Sequence, residues 1–171
     1  MKKYFIFLSF LAISWGTKAQ TIFDAARNND TTAMAKYISL KENIDTANNR
    51  GFTPLILAVY NNSEAVAEQL LSNGANPNAQ DASGNTALMG ATFKAYPPMV
   101  NLLLQNKAIV NQTNLNGATA LIFAATFGQI DIAELLLKNG ADIAIKDNNG
   151  KTALDHANLQ ENKKMISLLS K

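Results

Sequence analysis

The chain is 171 residues long, 47% apolar and 16% charged, with a formal net charge of +2. That length suggests one domain, and that balance is too apolar for a disordered chain. There is no Cys and a single His; this excludes disulfides, thiolate metal sites, a Cys nucleophile and a multi-histidine metal centre.

The first element is an address. Residues 1–19 read MKKYFIFLSFLAISWGTKA, with Lys2 and Lys3 ahead of an apolar run from Tyr4 to Trp15 and a small-residue stretch, Thr17-Lys18-Ala19. This is the pattern of a secretory signal peptide; the alternative is a buried N-terminal helix. The run is shorter than the roughly 20 apolar residues a membrane span needs. Cleavage before Gln20 leaves 152 residues and no membrane segment. It removes three Lys and no acid, so 12 basic residues face 13 acidic ones. Without a net positive field, non-specific attraction to nucleic acid is not expected. The short Lys-Lys start has a bacterial look, which makes the expected location periplasmic or secreted.

From residue 21 onward one motif repeats. Gly51, Gly84, Gly117 and Gly150 recur every 33 residues, as do Thr53, Thr86, Thr119 and Thr152. Leu55, Leu88, Leu121 and Leu154 keep the same step, and so do Ala58, Ala91, Ala124 and Ala157. Two further apolar columns follow, Val66, Met99, Ile132 and Met165, then Leu70, Leu103, Leu136 and Leu169. A fixed period of this length signals a repeat architecture.

Each column has a physical role. The Gly ends a turn and can take backbone angles closed to other residues. The Thr hydroxyl caps a short first helix, and Pro54 fits its first position. Leu55 and Ala58 share one face, with Ala small enough to let a neighbouring helix approach. Val66 and Leu70 face inward from a second helix. Gly74 and Gly140 suit its C-terminus, where the third unit has Lys107 instead. Pro97-Pro98 fall at the start of the third unit's second helix, where Pro is tolerated.

The segments GFTPLILAVYNNSEAVAEQLLSNGANPNAQ, GNTALMGATFKAYPPMVNLLLQNKAIVNQ, GATALIFAATFGQIDIAELLLKNGADIAIK and GKTALDHANLQENKKMISLL resemble the ankyrin repeat family. The G-x-T-[PA]-L start, the downstream Ala and LL-x-x-G-A carry the resemblance. It implies an all-α solenoid of stacked helix-turn-helix units with short β-hairpin tips. Five units are expected, at about 21–47, 48–80, 81–113, 114–146 and 147–171. Such units are stable only as an array, and the first and last read as caps. The first lacks Gly-x-Thr: a shift of 33 places Gln20 at the Thr column, while Ile22, Ala25 and Tyr37 align with core columns.

Chemistry is sparse. His156 follows Asp155 in the last unit and lies one place beyond the family's T-P-L-H position, which is filled by Ile56, Met89, Ile122 and Asp155. It reads as structural or solvated, and no Ser sits in a nucleophile-elbow motif. Glu64–Glu68 and Asp131–Glu134 have the spacing of solvated helix faces. There is no phosphate loop, dinucleotide fingerprint or Ca²⁺ loop, so no cofactor, metal or catalytic residue is assigned. Asn29, Asn61 and Asn111 head glycosylation-pattern triplets.

The resemblance also implies a concave binding face lined by tips and first helices. The positions it exposes there hold Arg50, Phe52, Tyr60, Asn85, Phe93, Lys94, Asn116, Phe127 and Lys151. Aromatic anchors with a polar rim suit a protein or peptide partner. Two readings of the rings stay open: exposed anchors, or packing folded over neighbouring helices. The expected function is an exported, non-catalytic interaction module, in the manner of an accessory or protective factor, and a monomer. The alternative is a hydrolase with a carboxylate site on the concave face.

Overall fold

A computed structural model of the protein describes residues 21–170. Residues 1–19, where a signal peptide is expected, lie outside the described residues. Five helix pairs follow one another: α1 (Ile22–Arg27) and α2 (Thr31–Ser39), α3 (Pro54–Tyr60) and α4 (Glu64–Ser72), α5 (Ala87–Phe93) and α6 (Pro97–Gln105), α7 (Ala120–Thr126) and α8 (Ile130–Lys138), α9 (Ala153–Leu159) and α10 (Lys163–Leu169).

The Thr column starts the first helix of units two to five. The hydroxyls of Thr53, Thr86 and Thr119 accept the backbone N–H three residues on, at 3.2, 3.3 and 3.3 Å. Thr152 does the same and forms a reciprocal capping box with Asp155. The first unit departs from the 33-residue register in one detail. Thr21, not the residue at position 20, caps α1, and Asp24 completes a capping box. Helix α1 therefore has 6 residues where α3 has 7. The register is restored at its end: Asn29 and Asn62 both turn left-handed, at φ 52° and 54°.

First helices pack side by side in the order α1, α3, α5, α7, α9; among the second helices α2 packs on α4, α6 on α8 and α8 on α10. The inner layer can close up because Ala58, Ala91, Ala124 and Ala157 put only a methyl group at the seam, and all four are fully buried. Val66, Met99, Ile132 and Met165, with Leu70, Leu103, Leu136 and Leu169, fill the space between layers and are also buried. One continuous core runs through all five units. Pro97 and Pro98 open α6, as their spacing predicts.

The tips are hairpins too short to form strands. Among the described residues the only bridge pairing is an isolated one between Gln80 and Thr86, but in each tip the N–H of Asn48, Asp81, Asn114 or Asp147 donates to the carbonyl four residues on. The side chains of the same four residues complete the turn. Each Oδ1 accepts backbone N–H groups two and four residues on: Arg50 and Phe52 for Asn48, Ser83 and Asn85 for Asp81, Asn116 and Ala118 for Asn114, Asn149 and Lys151 for Asp147. Such self-bonded turns satisfy the backbone without a strand partner.

Successive tips are then tied together. The N–H of Ala82 donates to Arg50 O, that of Leu115 to Ser83 O and that of Asn148 to Asn116 O. This contact explains the Gly column. A Cβ on Gly51 would lie 2.6 Å from Ala82 N, and one on Gly84 2.7 Å from Leu115 N, at positive φ in both cases. A second ladder links the loops after the outer helices, where Asp45, Asn78 and Asn111 each accept an N–H from the following unit, those of Asn76, Ile109 and Asp142.

Candidate functional site

Tips and first helices together line a groove; of the column Leu57, Gly90, Phe123 and His156, three residues border recesses in it while Gly90 is buried under Tyr60. Two recesses interrupt the groove. The first, about 700 Å³, lies between α1 and α3 and is bounded by Phe23, Leu57, Phe52, Asn48, Arg27 and Arg50. The second, about 510 Å³, lies between α7 and α9 and is bounded by Ile122, Phe123, Thr126, Phe127, Asn149 and His156, with Asp147 at its edge.

The stripe of aromatic candidates, Phe52, Tyr60, Phe93 and Phe127, divides into two groups with different environments. Phe52 and Tyr60 meet at 5.8 Å between ring centroids, tilted by 47°. Both are half-buried, and the Tyr60 ring lies where a Cβ on Gly90 would be, 3.2 Å away. Burial, with a smaller contribution from the Asp81 carboxylate, raises the Tyr60 pKa above its ordinary value. Tyr60 is thus a packing residue that covers the glycine of the next unit.

The second group stands out from the surface. Phe93 and Phe127 are 48% and 50% exposed, and they meet edge-to-face at 5.2 Å, the arrangement favoured by the ring quadrupoles. Phe123 lies beneath, 6.2 Å from Phe127. Phe127 sits one position further along its unit than Phe93 does, and the diagonal places their rings in contact across the seam between α5 and α7. A rigid aromatic surface of this kind loses little side-chain entropy on binding.

The polar candidates scatter around these groups. Arg50 is exposed at the first recess. Asn116 borders the second recess, near Asn148. Asn85 is half-buried and serves the scaffold: its Oδ1 accepts from Asn114 Nδ2 at 2.8 Å. Lys94 leans away over Tyr96, its Nζ 5.9 Å from the ring centroid. Lys151 lines a shallow recess on the outer face of the last unit with Asp155, Asn158 and Leu159.

His156 has a partner that its sequence position does not announce. Its Nε2 lies 2.8 Å from Asp147 Oδ2, and the two side chains are only 20% and 7% exposed. A carboxylate accepts only, so Nε2 carries the proton. Asp147 binds the Lys151 N–H, the imidazole and the Asn149 N–H, and these bonds hold its pKa below the ordinary carboxylate value. The signal in the sequence is the 33-residue spacing of Asn48, Asp81, Asn114 and Asp147, which marks Asp147 as the tip anchor. The imidazole reaches it from the column it shares with Leu57, Gly90 and Phe123.

The carboxylates on this side of the molecule are therefore occupied by the scaffold: Asp81 and Asp147 by tip backbone, Asp155 by the cap of α9. Among the described residues no three His, Asp or Glu side chains converge on a position that would hold a metal ion. The Asn residues of the three glycosylation-pattern triplets are likewise engaged. Asn29 Oδ1 accepts from Val66 N, Asn61 Nδ2 donates to Leu57 O, and Asn111 bridges to the next unit through both ends of its amide. Among the described residues no helix is long and apolar enough to cross a membrane.

The family model for ankyrin repeats (3 copies) matches residues 22–114 and, in a second overlapping match, residues 88–171. The chain belongs to the ankyrin repeat family, and its repeats form a protein–protein interaction module of ten helices among the described residues. No curated protein gives a significant match.

Proposed function

We propose that this protein is an exported, non-catalytic binding module that captures a protein or peptide through the groove formed by its tips and first helices. In this reading residues 1–19 direct export to the periplasm or beyond and are removed. The remaining chain, as a monomer, serves an accessory or protective role toward another exported protein. The observation that carries the binding assignment is the Phe93–Phe127 pair, two half-exposed rings locked edge-to-face above Phe123. Exposed aromatics at the centre of a groove are the usual hot spots of an interface. The scaffold role of the nearby carboxylates supports binding over hydrolysis.

The test is affinity capture with mass spectrometry from the native compartment, comparing the natural protein with a Phe93→Ala/Phe127→Ala variant. Each ring is expected to contribute on the order of 2 kcal/mol, so the variant should lose its specific partner while its helical circular dichroism stays unchanged. Equal capture by a folded variant overturns the site. Mass analysis of the protein recovered from that compartment should give a chain that begins at Gln20.

A further inference from the structure

The two recesses differ in chemistry, and that difference describes the partner. The first contains two guanidinium groups, Arg27 and Arg50, and no acidic side chain. Arg27 shares its charge with Asp24 at 3.1 Å, whereas Arg50 makes no ion pair among the described residues and is exposed. The second recess has an aromatic and aliphatic wall, Phe123, Phe127 and Ile122, opposite neutral polar groups of Asn116, Asn148, Asn149 and Thr126, and its only carboxylate, Asp147, is bound to His156 and two backbone N–H groups.

We propose that the groove binds an extended peptide segment bearing a carboxylate side chain for the Arg50 recess and a large apolar side chain for the Phe123–Phe127 recess, spaced 7–9 residues apart. This rests on the reading of the groove as the partner site and names the chemistry of that partner. The spacing follows from the stack. The first recess lies between α1 and α3 and the second between α7 and α9, three helix-to-helix steps away. At 8–10 Å per step that is about 24–30 Å, which an extended chain at 3.3–3.6 Å per residue crosses in roughly 7–9 residues. Charge complementarity fixes the sign at one end. Apolar burial on the rings of the second recess supplies an anchor at the other. Between them the segment passes over Tyr60, whose ring covers Gly90.

The experiment is selection of a random 16-residue peptide display library on the full-length folded chain. It is repeated on Arg50→Glu and on Phe127→Ala, each checked for unchanged helical circular dichroism. Peptides enriched on the natural chain should carry Asp or Glu 7–9 positions from Phe, Leu, Ile or Met, in either chain direction. Synthetic copies should bind about tenfold more weakly to Arg50→Glu, with most of their salt dependence gone, and about thirtyfold more weakly to Phe127→Ala. Enriched peptides that need Phe127 but show no acidic preference, or keep that preference on Arg50→Glu, overturn this inference and leave the groove as the binding site. Peptides indifferent to Phe127, or no enrichment on the folded chain, overturn this inference too; binding elsewhere also removes the reading on which it rests.

Discussion

At the scale of single residues, the tip anchors determine what the fold requires and what it leaves free. Asn48, Asp81, Asn114 and Asp147 do the same work with Oδ1, so the alternation of amide and carboxylate is irrelevant to the turn itself. Asp147 adds a short bond from its second oxygen to the His156 imidazole, where Asp81 makes only a long one to the Asn85 amide. Asp147→Asn should therefore keep the turn and lose the charge assistance, a cost of about 1 kcal/mol near neutral pH. Asp147→Ala leaves the N–H groups of Asn149 and Lys151 without their acceptor and should cost about 1–3 kcal/mol. The sign of the pH effect follows from the lowered pKa of Asp147. A carboxylate whose pKa is depressed by folding stabilises the fold above its unfolded value, and that stability is lost as pH falls through the folded value. Thermal melts from pH 7 down to pH 3 should show the natural protein losing stability below about pH 4 more steeply than Asp147→Asn. Asp155, whose pKa is lowered by its bonds to Thr152, keeps part of the acid slope in both. Parallel acid limbs would show that the carboxylate contributes nothing.

At the scale of elements, the repeat was legible almost throughout because each column answers one local demand. Thr caps, Ala seams, Leu and Val cores and left-handed helix ends all recur at 33 residues, and the structure uses them at those places. The third unit provides a test of the helix-end column. Gly74 and Gly140 take φ 87° and 85°, while Lys107 is held at φ 67°. A residue with a Cβ in this region costs about 1–2 kcal/mol, part of which glycine returns as unfolded-chain entropy. Lys107→Gly should stabilise the protein by about 0.5–1 kcal/mol, visible as a higher urea midpoint at unchanged slope. What the sequence could not deliver is equally local. The late start of α1 depends on Thr21 meeting Asp24, a pairing that competes with the 33-residue register. The tips stop at one backbone hairpin bond because each anchor Oδ1 takes the N–H four residues on, which a longer ladder would pair with a carbonyl. The aromatic stripe divides because Gly90 leaves room for Tyr60 to lie down, whereas Phe93 and Phe127 meet no such space and prop each other outward.

At the scale of the whole molecule, the same columns set the last unit apart from the inner ones. In the inner units the position after the first-helix Leu is Ile56, Met89 or Ile122, and the position after the seam Ala is Val59, Thr92 or Ala125; all six are buried beneath a neighbour. The last unit has Asp155 and Asn158 there, both exposed. Gly150 has nothing within 4 Å, although Gly51, Gly84 and Gly117 each abut the next tip. An outer face of this kind, Leu159 apart, tolerates water, as a capping repeat must. Restoring the inner-unit chemistry should reverse that behaviour. In an Asp155→Ile/Asn158→Val variant, two apolar side chains appear beside Leu159, which is already 60% exposed. Burying each Ile or Val can contribute about 1.5–3 kcal/mol to an end-to-end contact. Thr152 still caps α9 through its own hydroxyl, so the monomer should keep the helix without the Asp155 half of the capping box. Sedimentation velocity over a concentration series should then show the variant self-associating at concentrations where the natural protein keeps one sedimentation coefficient. A variant that stays folded and sediments like the natural protein would mean that these two polar residues do not end the stack.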